Sequence, residues 1–294
     1  RDPLGIRPLC ISNSGESYAL SSESSTFDKI FKNKTFEEVK PGELIRINSS
    51  GIERLRIPVE EHQHCMFEHV YLSRPDSHLD GRDIGEIRID LGRELAKDHE
   101  VNDGMVVPIL DSGRYAAEGF ALESNLPYVE GIMRDRFIPE RSFIQCNQSD
   151  RESVVKRKLS FIDDLMSGEK IVLFDDSLVR GTSIRSMIKK VRDLGVEEVH
   201  IRISCPPLVS PCFFGLDIPT REELFVSQLP SYEEYVKGKV SVKKISEEAN
   251  EVLGSDSLYY NSIDNLKRAI GIDGLCLGCL NDNYPFEVED EVDL

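Results

Sequence analysis

From residue 170 the chain runs strand, loop, helix, strand, and that order limits the possible folds more than any other feature. KIVLFDD (170–176) is an apolar run of strand length. SIRSMIKKVRDLG (183–195) sets Ile184, Met187, Ile188, Val191 and Leu194 on one helical face and stops at Gly195, a natural helix end. EEVHIRISCPP (197–207) is again strand-like. Two strands joined through a helix lie parallel, because an antiparallel pair needs only a short turn. The alternation also runs upstream. IGEIRIDLGRELAKDHE (84–100) aligns Ile84, Ile87, Leu91 and Leu95, MVVPIL (105–110) is a short buried strand, RYAAEGFALES (114–124) is an alanine-rich helix, and PYVEGIM is a further strand candidate. The expected fold is therefore α/β, a parallel sheet flanked by helices on both faces.

Before residue 60 the character differs. ISNSGESYAL has two strand-like halves about Ser14-Gly15, and PGELIRIN alternates after a Pro-Gly turn. A β-rich stretch of this size hardly buries a core alone. Residues 1–58 are therefore expected to be the end of a domain that begins outside the chain, followed by a sheet domain over 59–230. A helical segment with an acidic tail is expected over 231–294.

Charge and cysteine usage exclude some functions. The net charge is −17 over 294 residues, against the basic face of a nucleic-acid binder. An anionic small substrate remains compatible, because charges beyond about 8 Å are largely screened at physiological salt. No apolar run is long enough to span a bilayer and the sequence shows no basic-then-apolar leader, so a membrane is not expected as a partner. Seven cysteines, an odd number, argue for free thiols and a cytoplasmic setting rather than a disulfide framework.

In parallel α/β sheets, ligands bind beyond the carboxyl ends of the strands. Two polar sequences stand at such ends: Asp111-Ser112-Gly113 after MVVPIL, and Asp175-Asp176 after KIVLF. The second leads into SLVRGTS, a loop opening a helix whose amides suit a phosphate. Gly181 permits close approach, and Ser177, Thr182 and Ser183 add hydroxyls. The paired acids would repel that phosphate unless they served a sugar diol or a magnesium ion. A bare Asp-Asp pair is as often an ordinary solvated strand end.

The full string IVLFDDSLVRGTS resembles the phosphoribosyl pyrophosphate (PRPP) signature of type I phosphoribosyltransferases, and more narrowly that of the glutamine PRPP amidotransferase family. RDPLGIRPL, SSES and KPGEL are similar to the last part of that family's glutaminase domain. FEHVYLSRPDS, DSGRYAAEGFA, LPYVEGI, EEVHIRISCPP and PCFFGLDIPT are similar to its transferase domain, in order. The resemblance implies a type I phosphoribosyltransferase fold behind a remnant of an N-terminal-nucleophile glutaminase. It implies that Asp175 and Asp176 hold the ribose hydroxyls, while Ser177, Val179, Arg180, Gly181, Thr182 and Ser183 hold the 5-phosphate. Asp111, Ser112 and Gly113 would meet the pyrophosphate, and Arg136 and Lys158 would neutralise it as it leaves. Magnesium is assigned to Ser112, Asp175 and Asp176. The implied reaction makes 5-phosphoribosylamine from PRPP and ammonia, opening purine synthesis. Glutamine would serve as donor only with the rest of the glutaminase supplied, so this chain alone is expected to lack glutaminase activity. Purine nucleotide inhibitors and a homo-oligomer are implied in the same way. The sequence departs from the family pattern at Leu110, Asp135 and Ser183.

Cys276-Leu277-Gly278-Cys279 has a spacing that suits one metal centre. By the resemblance, Cys65 and Cys212 join Cys276 and Cys279 around a structural 4Fe–4S cluster. Zinc is the rival, encouraged by His62 and His64, while Cys10, Cys146 and Cys205 read as plain thiols. Two other functions compete with the amidotransferase: a salvage phosphoribosyltransferase, which would need a nucleobase hood, and a PRPP-binding regulator, which would need a DNA-binding module.

Overall fold

The computed structural model describes residues 1–15, 17–31, 35–57, 61–98, 101–134, 159–218 and 220–287. At its centre the chain builds helix α1 (Ile84–Asp98), strand β1 (Met105–Pro108), α2 (Arg114–Ser124), β2 (Lys170–Asp175), α3 (Thr182–Asp193) and β3 (Glu198–Ile203). There follow α4 (Val242–Leu253), β4 (Ser257–Tyr260) and α5 (Ile263–Ile270). The four strands form one parallel sheet in the order β4-β3-β2-β1, with Ile171 opposite Met105 and Val199, and His200 opposite Ser257.

Strand β2 shows why the apolar run must be continuous. Alternate side chains of a strand face opposite sides, and here both sides are covered. Ile171 and Leu173 enter the larger core with Val107, Val199, Ile201 and Ile203. Val172 and Phe174 enter a second core with Val106, Ala116, Ala117 and Phe120. The expected helical face Ile84, Ile87, Leu91 and Leu95 is buried to 1% exposure or less. Helices α1 and α2 cross closely because both carry glycine at the contact. A Cβ on Gly92 would lie 1.8 Å from the Ala116 carbonyl oxygen, and one on Gly119 would lie 1.9 Å from that of Ile89.

The expected N-terminal turns are present. Cys10–Ser14 pairs antiparallel with Ser17–Ser21 and with Glu37–Glu38, and Glu43–Asn48 pairs with Gly51–Arg56. Arg1 binds this segment together, donating from its guanidinium to the Gly5, Arg7 and Val39 carbonyls. The segment beyond residue 230, expected as a helical appendage, contributes β4 and so shares the central sheet. Among the described residues no helix is long and apolar enough to cross a membrane.

Candidate active site

The site lies where β1 and β2 end. Pairing with β1 ends at Phe174 and pairing with β3 ends at Asp175, yet the Ser204 and Cys205 amides still bond to the Asp175 and Asp176 carbonyls at 3.1 and 2.8 Å. That extension fixes the two acids side by side. The Asp176 amide donates to Asp175 Oδ1 at 2.9 Å, and the Ser177 hydroxyl donates to Asp176 Oδ1. The Ser112 side chain, from the loop after β1, lines the same cavity as both carboxyls and acts to lower their pKa values.

Burial raises the Asp175 pKa well above the usual carboxylate range, and the neighbouring Asp176 charge raises it further. Asp176 is also raised by burial, against bonds from Ser112 and Ser177 and the positive charge of Arg88. Two acids held where neither is well solvated form a site set for donors or a cation.

The loop 177–183 is anchored rather than floppy. Leu178 is buried, and the Val179 carbonyl accepts the Phe225 amide at 2.7 Å. Gly181 adopts φ +76° at the N-terminus of α3, and a Cβ there would meet the Phe225 ring at 2.6 Å. Among the described residues, the amides of residues 177–181 donate to no protein group. They stand at a helix N-terminus, the arrangement that binds anions. Arg180 points away, paired with Glu223 at 2.8 Å. Ser112, Asp175, Asp176, Ser177 and Ser183 share a cavity of about 480 Å³, walled by Phe67 and Tyr71 and roofed by residues 216–218. A second recess, about 310 Å³, lies away from the strand ends between Arg221 and Tyr232.

The loop 109–113 rests directly on β2. The Ile109 amide donates to the Phe174 carbonyl at 2.9 Å, Gly113 packs on the same carbonyl, and the Leu110–Asp111 peptide is cis. Asp111 is exposed and pairs with Arg134 at 3.0 Å. Arg134 therefore reaches the site although its sequence signal, the MRDRF run, pointed to Arg136. Arg136, Lys158 and Asp135 lie outside the described residues, as does Cys146.

The four cysteines come from three chain segments to one edge of the sheet domain. Leu275–Cys276 pairs in parallel with His64–Cys65, setting Cys276 opposite Cys65. The Cys279 carbonyl accepts the Val209 and Ser210 amides at 2.9 and 3.3 Å, drawing in the turn that carries Cys212. All four are free thiols. Burial pushes Cys65 up to about 12, and Cys279 is raised by burial and then by neighbouring thiols, including Cys205. Among the described residues no three ligating side chains are already converged on a metal position. His64 is committed to Asp80 at 2.6 Å, with His62 stacked on it at 5.6 Å.

No family profile matches the chain. Curated relatives do. The chain is 39% identical over 295 residues to the amidophosphoribosyltransferase of Methanothermobacter thermautotrophicus, covering 99% of this chain and 59% of the relative. It is 42% identical over 285 residues to that of Pyrococcus horikoshii, covering 97% and 59%. Against the Bacillus subtilis glutamine PRPP amidotransferase structure, complexed with ADP and GMP, the TM-score is 0.82 at 36% identity, covering 99% and 62%. The fold is that of a type I phosphoribosyltransferase preceded by β-rich strands. The chain is homologous, over nearly its whole length, to the amidophosphoribosyltransferases. It spans about three fifths of the length of these relatives.

Proposed function

We propose that this chain is the phosphoribosyl-transferring part of an amidophosphoribosyltransferase, converting PRPP and ammonia to 5-phosphoribosylamine and pyrophosphate. The observation that carries the reading is the pairing of a half-buried Asp175 with a buried Asp176, beside a run of unpartnered amides at a helix N-terminus in one cavity. A ribose diol donates two hydrogen bonds and its 5-phosphate accepts several. The cavity supplies acceptors and donors in that order along the chain.

In this reading Asp175 and Asp176 orient the ribose through its hydroxyls. The amides of residues 179–183, with the Ser177 and Ser183 hydroxyls, take the 5-phosphate. The loop of Asp111, Ser112 and Gly113 meets the pyrophosphate, with Arg134 beside it and Arg136 and Lys158 as further cations. The bond from C1 to the pyrophosphate oxygen breaks with its electron pair on oxygen, ammonia forms the new C–N bond, and one proton is released. The chain contributes orientation and charge rather than an acid or base. Ser112, Asp175 and Asp176 present hard oxygen ligands and fit a magnesium ion. When bound, magnesium offsets pyrophosphate charge. Where the remaining glutaminase is supplied, glutamine becomes the nitrogen source. The relative's bound ADP and GMP support purine nucleotides as inhibitors.

Cys65, Cys212, Cys276 and Cys279 fit a 4Fe–4S cluster by donor chemistry, being soft thiols gathered from three segments. Such a cluster would tie the 209–212 turn and the C-terminal segment to the strand at residue 65.

Pyrophosphate release from PRPP in ammonia tests the function. Wild-type chain should turn over, and Asp175→Ala with Asp176→Ala should lose PRPP binding. Equal turnover with adenine, guanine, hypoxanthine or uracil would favour a salvage enzyme, and binding without turnover would favour a regulator.

A further inference from the structure

Between Cys65 and Ser73 the backbone widens, and Glu68–Leu72 is a single π-turn. Such turns are rare and concentrate at functional sites. This one presents Tyr71 and Leu72, with Phe67 just before them, as the apolar wall facing Asp175 and Asp176. Its outer side is held by side chains: Glu68 takes the Ser73 hydroxyl at 2.7 Å and Arg7 at 3.1 Å, and His69 meets Asp80 at 3.1 Å.

The inner support is Arg88, from α1. Its Nε donates to the His69 carbonyl, inside the π-turn, at 2.9 Å, and its Nη2 donates to the Ser73 carbonyl, just past the turn's end, at 2.6 Å. Arg88 is only 4% exposed, and these bonds go to main-chain oxygens, not to a carboxylate. Burying a cation merely to cap two carbonyls is costly, since neutral donors would do that. The strongest charge acting on its guanidinium is that of Asp176.

We propose that Arg88 is a positioning residue of the sugar-phosphate site. It clamps the π-turn so that the Phe67–Tyr71 wall stands at a fixed distance from the acid pair, and it adds a buried positive charge to the surroundings of Asp176. The planar fork of arginine suits two carbonyls at once, which lysine cannot match. The role deepens the PRPP reading and rests on it for the identity of the ligand, though not for the clamp.

The test compares Arg88→Met and Arg88→Lys by amide hydrogen exchange without ligand and by PRPP kinetics with ammonia. Both variants should speed exchange within residues 67–73. Arg88→Met should raise the KM for PRPP by about tenfold or more with a much smaller change in kcat. Arg88→Lys, retaining charge but not the fork, should recover part of the KM while exchange stays fast. Wild-type exchange at 67–73 in either folded variant overturns the clamp, and Arg88→Lys decides if Arg88→Met fails to fold. A KM that lysine does not improve over methionine overturns the charge role. If the wild-type chain neither binds nor turns over PRPP, the ligand reading falls, while the exchange result still decides the clamp.

Discussion

Replacing Gly113 by alanine tests how the pyrophosphate loop is held over the acid pair. A Cβ at this position would stand 2.2 Å from the Phe174 carbonyl oxygen and 3.0 Å from that of Ile109. Neither atom belongs to a side chain that can rotate away, and the Phe174 oxygen already accepts the Ile109 amide at 2.9 Å. Carbon approaches a carbonyl oxygen comfortably at about 3.3 Å, so the loop must retreat by roughly 1 Å. Ser112 is the adjacent residue and moves with it, away from Asp175 and Asp176. Overpacking of this kind costs about 1–3 kcal/mol of stability, and a shift of about 1 Å in a site costs on the order of a hundredfold in activity. Urea unfolding reads the first number, and ammonia-dependent pyrophosphate release over a range of PRPP concentrations reads the second. Gly254→Ala is the control: φ is +73° there but nothing lies within 4 Å of the new Cβ, so roughly 1–2 kcal/mol is lost with PRPP kinetics unchanged. A Gly113→Ala protein with wild-type kinetics and an unshifted midpoint would refute the packing argument.

Three further outcomes are expected. Asp80 is buried between His64 and His69; burial works to raise its pKa, but the bonds from the two imidazoles hold it well below the usual carboxylate range. Its folded pKa lies below the unfolded one, so its contribution is present above pH ~4 and fades as pH falls through the folded value. Asp80→Asn should cost about 2 kcal/mol at neutral pH and less under acid, and a deficit that grows below pH ~4 in urea titrations would contradict this. Gly92→Ala or Gly119→Ala should each lower the melting temperature through a loss of about 1–3 kcal/mol or more, less than additively together because they share one helix crossing. Anaerobically reconstituted protein should carry on the order of four iron atoms per chain and lose them in Cys65→Ser and Cys276→Ser; stoichiometric zinc in colourless protein would replace the cluster.

The readable parts of this chain were those in which local and global demands agree. Strand β2 is uniformly apolar because both its faces are covered, and α1 shows its buried face as a helical period, so both were visible in the sequence. The candidate site was suggested at Asp175-Asp176, where acids follow an apolar run that gives them no folding role. Arg88 was not. A charged residue inside an amphipathic helix looks like a surface cation, and only the fold shows that its side chain turns inward onto the His69 and Ser73 carbonyls. Arg134 was hidden by its neighbour Arg136 in one basic run. Strand β4 was missed because SLYY is four residues long and its pairing with His200–Ile203 is set by distant sequence.

That late strand has a consequence for how the molecule is made. Until residues 257–260 leave the ribosome, β3 has an open flank of unpaired amides and carbonyls, a template for pairing with another nascent chain. Shortened versions ending near residue 230 should therefore clump during expression even though they retain every residue assigned to the sugar-phosphate cavity.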